Sequence, residues 1–306
     1  SGGSGLRLWP LSNNTRSKQF LPLLKADDGS MESMLQRVVR QVRETNLASS
    51  VTIATSKTQR DMIINQLGNG VVVVAEPERR DTFPAIALAV SYLSLQKGCP
   101  DDEVVVIMPC DPYTENDFFH SIGNMVKAVE QNKADLVLMG IKPTYPASKY
   151  GYIVPEEGNN DAVRMVSCFV EKPDRARAEE LLARGAMWNS GVFAFRLGYV
   201  RSIVSKYITA SSYEEVVAQY GAFPKISFDY EVVEKALSIA VVPFGGKWKD
   251  LGTWNTLSEE IAEDYIGNVT CGDNNSNSIV VNELGLPIFC DGLNNMVVAC
   301  SPDGIL

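Results

Sequence analysis

The stretch Val104–Pro112, with the sequence VVVIMPCDP, decides how this chain folds. Four consecutive β-branched residues are typical of a strand buried on both faces, as in a sheet covered by helices. Similar apolar runs alternate with amphipathic helical segments along the chain, at 51–54, 71–75, 136–141, 163–170, 192–195 and 240–244. This alternation predicts an α/β sheet wound in both directions, whose ligand binds beyond the carboxyl ends of its strands.

Asp111 follows the Val104 strand directly, so we expect its carboxylate to lie at the ligand-binding edge of the sheet. Carboxylate oxygens there suit Mg²⁺, which takes one or two protein carboxylates together with substrate phosphates. From the residues alone, Asp111–Pro112 could instead open a turn, and Asp250 could be a turn residue before Gly252.

Two polar residues are predicted to begin helices. Ser30 precedes a segment with apolar residues on one face, and Asp229 precedes another, so both are expected to act as N-caps.

The pattern changes near residue 265, where short strands at 278–281, 287–290 and 296–300 are separated by Asn, Asp and Gly. We therefore predict a catalytic domain over residues 1–264 and a small β-helix-like appendage over residues 265–306. Because the apolar end at Leu306 falls within this pattern, we expect the natural chain to continue.

The composition narrows the class of protein. The 306 residues are 45% hydrophobic and carry a formal net charge of −9, with no basic stripe that would indicate a nucleic-acid partner. The sequence contains no apolar run long enough to cross a membrane and no signal peptide. Six cysteines occur without a C-x-x-C pair, which is typical of free thiols in a reducing compartment. These features predict a cytoplasmic protein without a membrane or nucleic-acid partner.

The chain opens with SGGSGLRLWPLSNNTRSKQF, residues 1–20. This stretch lacks both the G-K-[ST] ending of a P-loop and the G-x-G-x-x-G of a dinucleotide fold. Its glycines alone could belong to a flexible linker. They could also form an anion-binding turn, to which Arg7 would add a bidentate fork and Lys18 a point charge.

The opening stretch resembles that of the sugar-phosphate nucleotidylyltransferases, and most closely that of the bacterial mannose-1-phosphate guanylyltransferases. The resemblance continues in order through Glu76–Pro77 with Arg80, Asp111, Tyr150–Tyr152, Phe169–Pro173, Trp188–Phe193 and Trp248–Trp254. It implies a Rossmann-like (GT-A-like) nucleotidyltransferase fold, with a mixed sheet flanked by helices. In such families the glycine-rich loop follows a first strand, so we expect the natural chain to begin before Ser1.

The resemblance also implies the reaction and its residues. The nucleotidyl group of GTP would pass to mannose 1-phosphate with the help of Mg²⁺, giving GDP-mannose and pyrophosphate, and the protein could be a homodimer. The implied catalytic residues are Arg7, Lys18, Asp111 and Asp250, and both aspartates would bind the metal. The implied nucleotide-binding residues are Gly2, Gly3, Gly5, Arg7, Glu76 and Arg80. The implied sugar-phosphate-binding residues are Gly151, Glu171, Lys172 and Asn189.

The chain departs from the family pattern at three points, and four alternative interpretations remain open. Asp81 replaces the usual asparagine of the base-binding segment, and Pro112 replaces the usual histidine after Asp111. Longer relatives carry an isomerase barrel at the C-terminus, for which we expect these 306 residues to have no room. Glu171–Lys172 could be an ordinary surface pair, and Asn189 could lie in a turn. The chemistry could use another nucleoside triphosphate or another sugar 1-phosphate. The protein could also bind a nucleotide sugar without catalysis.

Overall fold

A computed structural model describes residues 7–13, 15–158 and 161–306. The helices are α1 (Met34–Glu44), α2 (Arg60–Leu67), α3 (Thr82–Ser91), α4 (Asn116–Glu130), α5 (Arg175–Ala183), α6 (Leu197–Val204), α7 (Tyr213–Ala218) and α8 (Trp254–Leu257). The strands are β1 (Leu24–Lys25), β2 (Met31–Glu32), β3 (Thr52–Ser56), β4 (Val72–Glu76), β5 (Val104–Ile107), β6 (Pro112–Thr114), β7 (Leu136–Ile141), β8 (Tyr152–Pro155), β9 (Arg164–Val170), β10 (Met187–Arg196), β11 (Ile239–Phe244), β12 (Trp248–Asp250), β13 (Tyr265–Gly267), β14 (Val269–Cys271), β15 (Ile279–Asn282), β16 (Ile288–Cys290), β17 (Val297–Ser301) and β18 (Gly304–Ile305).

A six-stranded sheet with the order β5-β10-β7-β11-β9-β8 forms the centre of the fold. Strand β11 runs parallel to β7, whereas β10 runs antiparallel to both β5 and β7. All residues of β7 are buried, and they alternate between two cores because successive side chains of a strand point to opposite faces. One core includes α3, α6 and α7, and the other includes α4 and α5. The predicted mixed sheet flanked by helices is thus confirmed.

Strands β3 and β4 form a separate parallel pair, in which Ser56 is the register partner of Glu76. Ile53 of β3 packs with Val39 of α1 and Ile63 of α2. The carboxyl ends of this pair bring Ser56 and Glu76 to the same edge, as parallel pairing requires. This edge forms part of the candidate site described below.

The N-cap prediction at Ser30 is wrong, because helix α1 begins after Ser33. The Ser33 hydroxyl accepts from the Gln36 amide nitrogen, and the Gln36 side chain accepts in return from the Ser33 amide nitrogen. This reciprocal capping box satisfies two helix-end donors, which contributes about 1 kcal/mol. Ser30 instead donates its hydroxyl to Asp28 at 2.6 Å.

Two further elements differ from the sequence prediction. Strand β10 begins at Met187 and not near residue 192, because Met187 and Trp188 pair with β8 and extend the ladder. Asn189 therefore lies within a strand and not in a turn. Helix α6 (Leu197–Val204), which follows β10 directly, was not predicted.

The C-terminal β unit, residues 265–306, is built mainly from parallel ladders. Strands β13, β15 and β17 form one, β14 and β16 form another, and β18 folds back on β17. This arrangement confirms a β-rich C-terminal region, while the domain boundary at residue 265 stays a prediction. Ile279, Val281 and Ala299 share a core with Leu8 and Leu11 from the start of the chain. Within the described ranges, none of the helices has the length and apolar character needed to cross a bilayer.

Candidate active site

Pairing between β6 and β12 brings two distant aspartates together. These strands are antiparallel, and Asp250 is the register partner of Pro112, which directly follows Asp111. Antiparallel partners lie about 5 Å apart. The two carboxylates therefore reach the same edge of the fold although they lie 139 positions apart in sequence.

The ammonium group of Lys18 lies between these two carboxylates. It is 2.9 Å from Asp111 Oδ2 and 3.4 Å from Asp250 Oδ1. Lys149 approaches the other oxygen of Asp250 at 3.4 Å, and its ammonium lies 4.7 Å from the centre of the Tyr150 ring. Lys18, Asp111, Lys149 and Asp250 are called the strand-end cluster below.

The strand-end cluster has the chemistry of a site for a hard divalent cation. One ammonium already lies within ion-pair distance of both carboxylates, so the two oxygens converge on a position that holds positive charge. Among the described residues, no group of three or more acidic, histidine or cysteine side chains forms a complete metal cage. A site with two protein carboxylates fits an ion that takes its other oxygens from substrate phosphates and water.

A second polar cluster lies where β8 begins and β9 ends. Tyr152 of β8 is the register partner of Val170 of β9, and the next residues outside this pair are Gly151 and Glu171. A Cβ atom at Gly151 would lie only 2.5 Å from Glu171 Oε2 and 2.9 Å from Phe169 Cζ. The backbone can approach Glu171 this closely only because position 151 has no side chain. Glu171 Oε2 is buried and has no hydrogen-bond partner among the described residues.

Lys172 forms an ion pair with the other oxygen of Glu171. Its ammonium lies 2.9 Å from Glu171 Oε1, and this hydrogen bond raises the pKa of Lys172. The side chain of Glu171 is 5% exposed, whereas that of Lys172 is 55% exposed. Lys172 has a φ of 45°, in the left-handed region that costs a non-glycine residue about 1–2 kcal/mol. Strain of this kind is typical of functional sites.

Asn189 and Asp229 complete this second cluster. The Asn189 backbone nitrogen donates to Gly151 O at 2.8 Å, and its side-chain amide donates to Asp229 Oδ1 at 2.7 Å. Burial, followed by the negative charge of Glu171, raises the pKa of Asp229 to about 6. The predicted capping role of Asp229 is wrong, since Phe228 holds the N-cap position and Asp229 is the first residue of the π-helical turn Asp229–Val233, where its carboxylate accepts from Asn189. Gly151, Glu171, Lys172, Asn189 and Asp229 are called the Glu171 cluster below.

The two clusters are joined by the segment Lys149–Gly151. Lys149 belongs to the strand-end cluster, Gly151 belongs to the Glu171 cluster, and Tyr150 lies between them in sequence. The Tyr150 ring packs against Trp188 and Trp248 at centroid distances of 4.9 and 5.5 Å. Burial, with the charge of Asp250, raises the pKa of Tyr150. The clusters therefore form neighbouring parts of one polar surface.

A cavity of about 420 Å³ opens at the carboxyl ends of β3 and β4. It is lined by Thr15, Ser56, Lys57, Thr58, Glu76, Pro77, Glu78 and Arg79. Glu76 is buried and accepts a hydrogen bond from the Tyr220 hydroxyl at 2.9 Å. Burial raises the pKa of Glu76, and the Tyr220 hydrogen bond opposes this rise.

Arg79, and not Arg80, is among the residues that line this cavity. The Arg80 guanidinium donates to the Phe223 carbonyl at 2.9 Å and to Glu78 at 2.6 Å. Asp81 has a φ of 73°, and its carboxylate accepts from the Thr82 amide nitrogen at the start of α3. With a ψ of −173°, Asp81 lies outside the left-handed helical region, in a backbone conformation that is populated almost only by glycine, so this position is strained.

The glycines of the opening loop, Gly2, Gly3 and Gly5, lie outside the described residues. Arg7 is exposed and makes no ion pair with another described residue. Sequence reasoning missed Lys57, Thr58 and Arg79 of the cavity. They lie just after β3 and β4, so the rule that ligands bind at strand ends could have found them.

A family model described as "Nucleotidyl transferase" matches residues 1–265. The alginate biosynthesis protein AlgA of Pseudomonas aeruginosa is 31% identical, and a mannose-1-phosphate guanylyltransferase of Klebsiella pneumoniae is 32% identical. Each match covers 100% of this chain, and 67% and 69% of the respective relatives.

A solved structure also resembles the whole chain. The crystal structure of mannose-1-phosphate geranyltransferase from Thermus thermophilus superposes with a TM-score of 0.78 at 28% identity. The match covers 100% of this chain and 92% of that one. The similarity therefore includes the C-terminal β unit as well as the helix-flanked sheet.

Proposed function

Because the chain belongs to the nucleotidyl transferase family, we propose that it transfers the nucleotidyl group of GTP to mannose 1-phosphate. The products are GDP-mannose and pyrophosphate. The observation that carries this proposal is the strand-end cluster, where Lys18 pairs with both Asp111 and Asp250 beside the Glu171 cluster. This arrangement places positively charged groups that can bind phosphates next to hydrogen-bond acceptors that can bind sugar hydroxyls.

The cavity at the ends of β3 and β4 receives the base in this proposal. Glu76 presents a carboxylate there, which can accept from the N1–H and N2–H groups that guanine shows on one edge. Adenine has an acceptor at N1, so its edge would repel the same carboxylate. Arg7 and the loop amides of Gly2, Gly3 and Gly5 are assigned to the triphosphate, and Arg80 supports the cavity wall through Glu78.

The Glu171 cluster receives the sugar phosphate. The Oε2 atom of Glu171, which has no partner among the described residues, accepts from sugar hydroxyls, and the absence of a side chain at Gly151 lets this carboxylate lie against the backbone of residue 151. Asn189 lies at the same place, with its amide oriented by Asp229. Lys172 is exposed enough to reach from Glu171 to the phosphate of the sugar.

In the reaction, a phosphate oxygen of mannose 1-phosphate attacks the α-phosphorus of GTP. The new oxygen–phosphorus bond forms as the bond to the β-phosphate oxygen breaks, and pyrophosphate leaves with that electron pair. The nucleophile is already an anion, so the protein needs no strong general base. Lys18 and Arg7 position the phosphates and neutralise the charge that develops on them.

Nucleotidyl transferases generally use a divalent metal, and we assign Mg²⁺ to this chain. Asp111 and Asp250 would hold it, and when bound it supplies Lewis-acid neutralisation of phosphate charge.

The six cysteines form no disulfide in the structure, which suits a reducing compartment such as the cytoplasm. Homodimer formation stays a prediction.

The decisive experiment is a substrate panel scored by pyrophosphate release. Four nucleoside triphosphates are each combined with mannose, glucose, galactose and N-acetylglucosamine 1-phosphates, with Mg²⁺ as the metal. We expect GTP with mannose 1-phosphate to give the highest kcat/KM. A different best pair would replace the substrates but keep the chemistry, whereas nucleotide-sugar binding without turnover of any pair would overturn the proposal.

A further inference from the structure

The C-terminal β unit contacts the segment that follows the glycine-rich loop. Ser301 of β17 donates its hydroxyl to the Pro10 carbonyl at 2.7 Å, and this hydrogen bond is buried. A Cβ atom at Gly304 would lie 2.6 Å from the Trp9 ring, so the hairpin at the end of the chain lies directly on that side chain. The segment therefore rests on strands that lie almost 300 residues further along the chain.

Two polar contacts extend this junction to residues 13 and 16. The Arg16 guanidinium makes two parallel hydrogen bonds to the Glu283 carboxylate, both 2.7 Å long. Asn13 Nδ2 donates to Asp303 Oδ2 at 2.6 Å. A bidentate arginine–carboxylate pair fixes orientation as well as distance, because both groups are planar.

The tethered residues also shape the cavity that receives the base. Asn13 Oδ1 accepts from the Thr15 amide nitrogen, the Thr15 hydroxyl and the Arg16 amide nitrogen at 2.9, 2.8 and 2.7 Å. Thr15 is one of the residues that line the cavity. Asn13 therefore links Asp303, in the turn between β17 and β18, to the cavity wall.

We propose that Glu283 and Asp303 of the C-terminal β unit are positioning residues for the nucleotide. They touch no substrate. They hold Arg16 and Asn13 in place, and Asn13 in turn holds Thr15 in the wall of the cavity before the nucleotide binds. Without them the turn must be ordered when the nucleotide binds, and this entropic cost weakens nucleotide affinity. The inference rests on the proposed function only in taking the cavity as the nucleotide site.

A double-mutant cycle on the full chain tests the Arg16–Glu283 contact. The variants are Glu283→Gln, Arg16→Gln, both together, and the charge swap Arg16→Glu with Glu283→Arg. We expect each single variant to raise the KM for GTP by about 3- to 10-fold, with kcat and the KM for mannose 1-phosphate within 2-fold. The double variant should be no worse than either single variant, since both changes remove one contact. The charge swap should recover part of the loss.

Glu179→Gln is the matched control, because it breaks an exposed ion pair with Arg175 on α5 by the same substitution. It should leave both KM values unchanged. Asp303→Ala is a second variant for the other contact, and it should raise the KM for GTP as Glu283→Gln does. An unchanged KM for GTP in both variants would overturn the proposal. Independent, additive effects of the Arg16 and Glu283 changes would also overturn it, because Arg16 would then bind the nucleotide itself.

Calorimetric titration with GTP and Mg²⁺ separates this inference from the proposed function. If the wild type binds GTP but turns over no sugar phosphate, the proposed function fails while the Kd of Glu283→Gln still decides the inference. A weaker Kd in the variant supports it, and an equal Kd refutes it. If the substrate panel selects another nucleoside triphosphate, that nucleotide replaces GTP in the titration, and a wild type that binds no nucleoside triphosphate refutes both.

Discussion

The strand-end cluster and the Glu171 cluster are neighbours, but their charges are arranged differently. In the first, two carboxylates face two ammonium groups, and the side chains of Lys18, Asp111 and Asp250 are 15%, 38% and 25% exposed. In the second, Glu171 and Asp229 face one described ammonium group, that of Lys172, and the Glu171 side chain is 5% exposed with an oxygen that has no partner among the described residues.

This difference indicates what each cluster binds. Ion pairs that are partly exposed to water contribute little free energy, so breaking them costs little. The carboxylates and ammonium groups of the strand-end cluster can therefore exchange each other for a metal and for phosphates. A buried acceptor without a donor is costly until a ligand supplies one. The Glu171 cluster is therefore suited to hydroxyl donors, which an uncharged sugar ring offers.

The largest effect is expected from removing a carboxylate of the strand-end cluster. Asp111→Ala and Asp250→Ala should fold but lose about 10³-fold in kcat, because they remove the groups assigned to the metal. Pyrophosphate release and thermal unfolding are measured side by side. Asp61→Ala, on the exposed surface of α2, is the control and should retain full activity. Normal turnover of either cluster variant with Mg²⁺ as the only metal would contradict the assignment.

The next largest effect is expected from adding a side chain at position 151 in the Glu171 cluster. Gly151→Ala places a methyl group 2.5 Å from Glu171 Oε2, so the carboxylate must move away from the sugar. We expect the KM for mannose 1-phosphate to rise by about 30-fold and that for GTP by less than 3-fold, a loss of about 2 kcal/mol in sugar binding.

Gly123→Ala is the matched control for this change, since its Cβ atom would meet nothing within 4 Å on helix α4. Alanine is favoured over glycine inside a helix, so this control should be active and slightly more stable. If Gly151→Ala raises both KM values equally, the two clusters do not divide the substrates as proposed.

A smaller effect is expected from removing Lys172, the exposed ammonium group of the Glu171 cluster. Lys172→Ala removes the ammonium that pairs with Glu171, and it should raise the KM for mannose 1-phosphate about 10-fold. The KM for GTP should change less, because Lys172 is assigned to the attacking phosphate. Initial rates over a grid of both substrates give the two constants, with Lys97→Ala as a distant control. Equal changes in both constants would count against this placement.

The last expected effect concerns the stability of the fold and not the activity, and it arises from the buried carboxylate of Asp229. The unfolded chain releases this proton near pH 3.8, whereas the folded protein holds it until its pKa of about 6. The folded state therefore loses stability as the pH rises from about 4 to about 6, by at most about 3 kcal/mol. Asp229→Asn removes this titration but keeps an acceptor for the Asn189 amide.

Chemical denaturation at pH 4.5 and pH 7.5 measures this effect. We expect Asp229→Asn to exceed the wild type in free energy of unfolding at pH 7.5 by about 1–3 kcal/mol, and the difference to shrink at pH 4.5. A difference that is the same at both pH values would show that Asp229 does not titrate as its burial indicates.

Much of the fold could be predicted because the pattern of apolar residues is local. The continuous apolar run at Leu136–Ile141 forms a strand buried on both faces. The prediction of such a strand at Val104–Ile107 is wrong, because β5 lies at the edge of the central sheet beside β10, and only Val105 of its four residues is buried. The cap of α1 was misplaced because Ser30 and Ser33 are both suitable, and only the reciprocal bond with Gln36 selects Ser33. The start of β10 was missed because its first residues are ordered by pairing with β8, which the sequence does not show.

The sequence by itself determined the α/β class, the family and the residue types that phosphate chemistry requires, since these depend on local patterns and short motifs. Only the tertiary structure decided which of them meet. Pairing of β6 with β12 places Asp250 beside Asp111, and Asp229 bonds to Asn189 instead of capping a helix. The C-terminal β unit reaches back to Arg16 in the same way. The physical reason is that these contacts join residues from 40 to 267 positions apart, and only the packing of the folded chain brings such residues together.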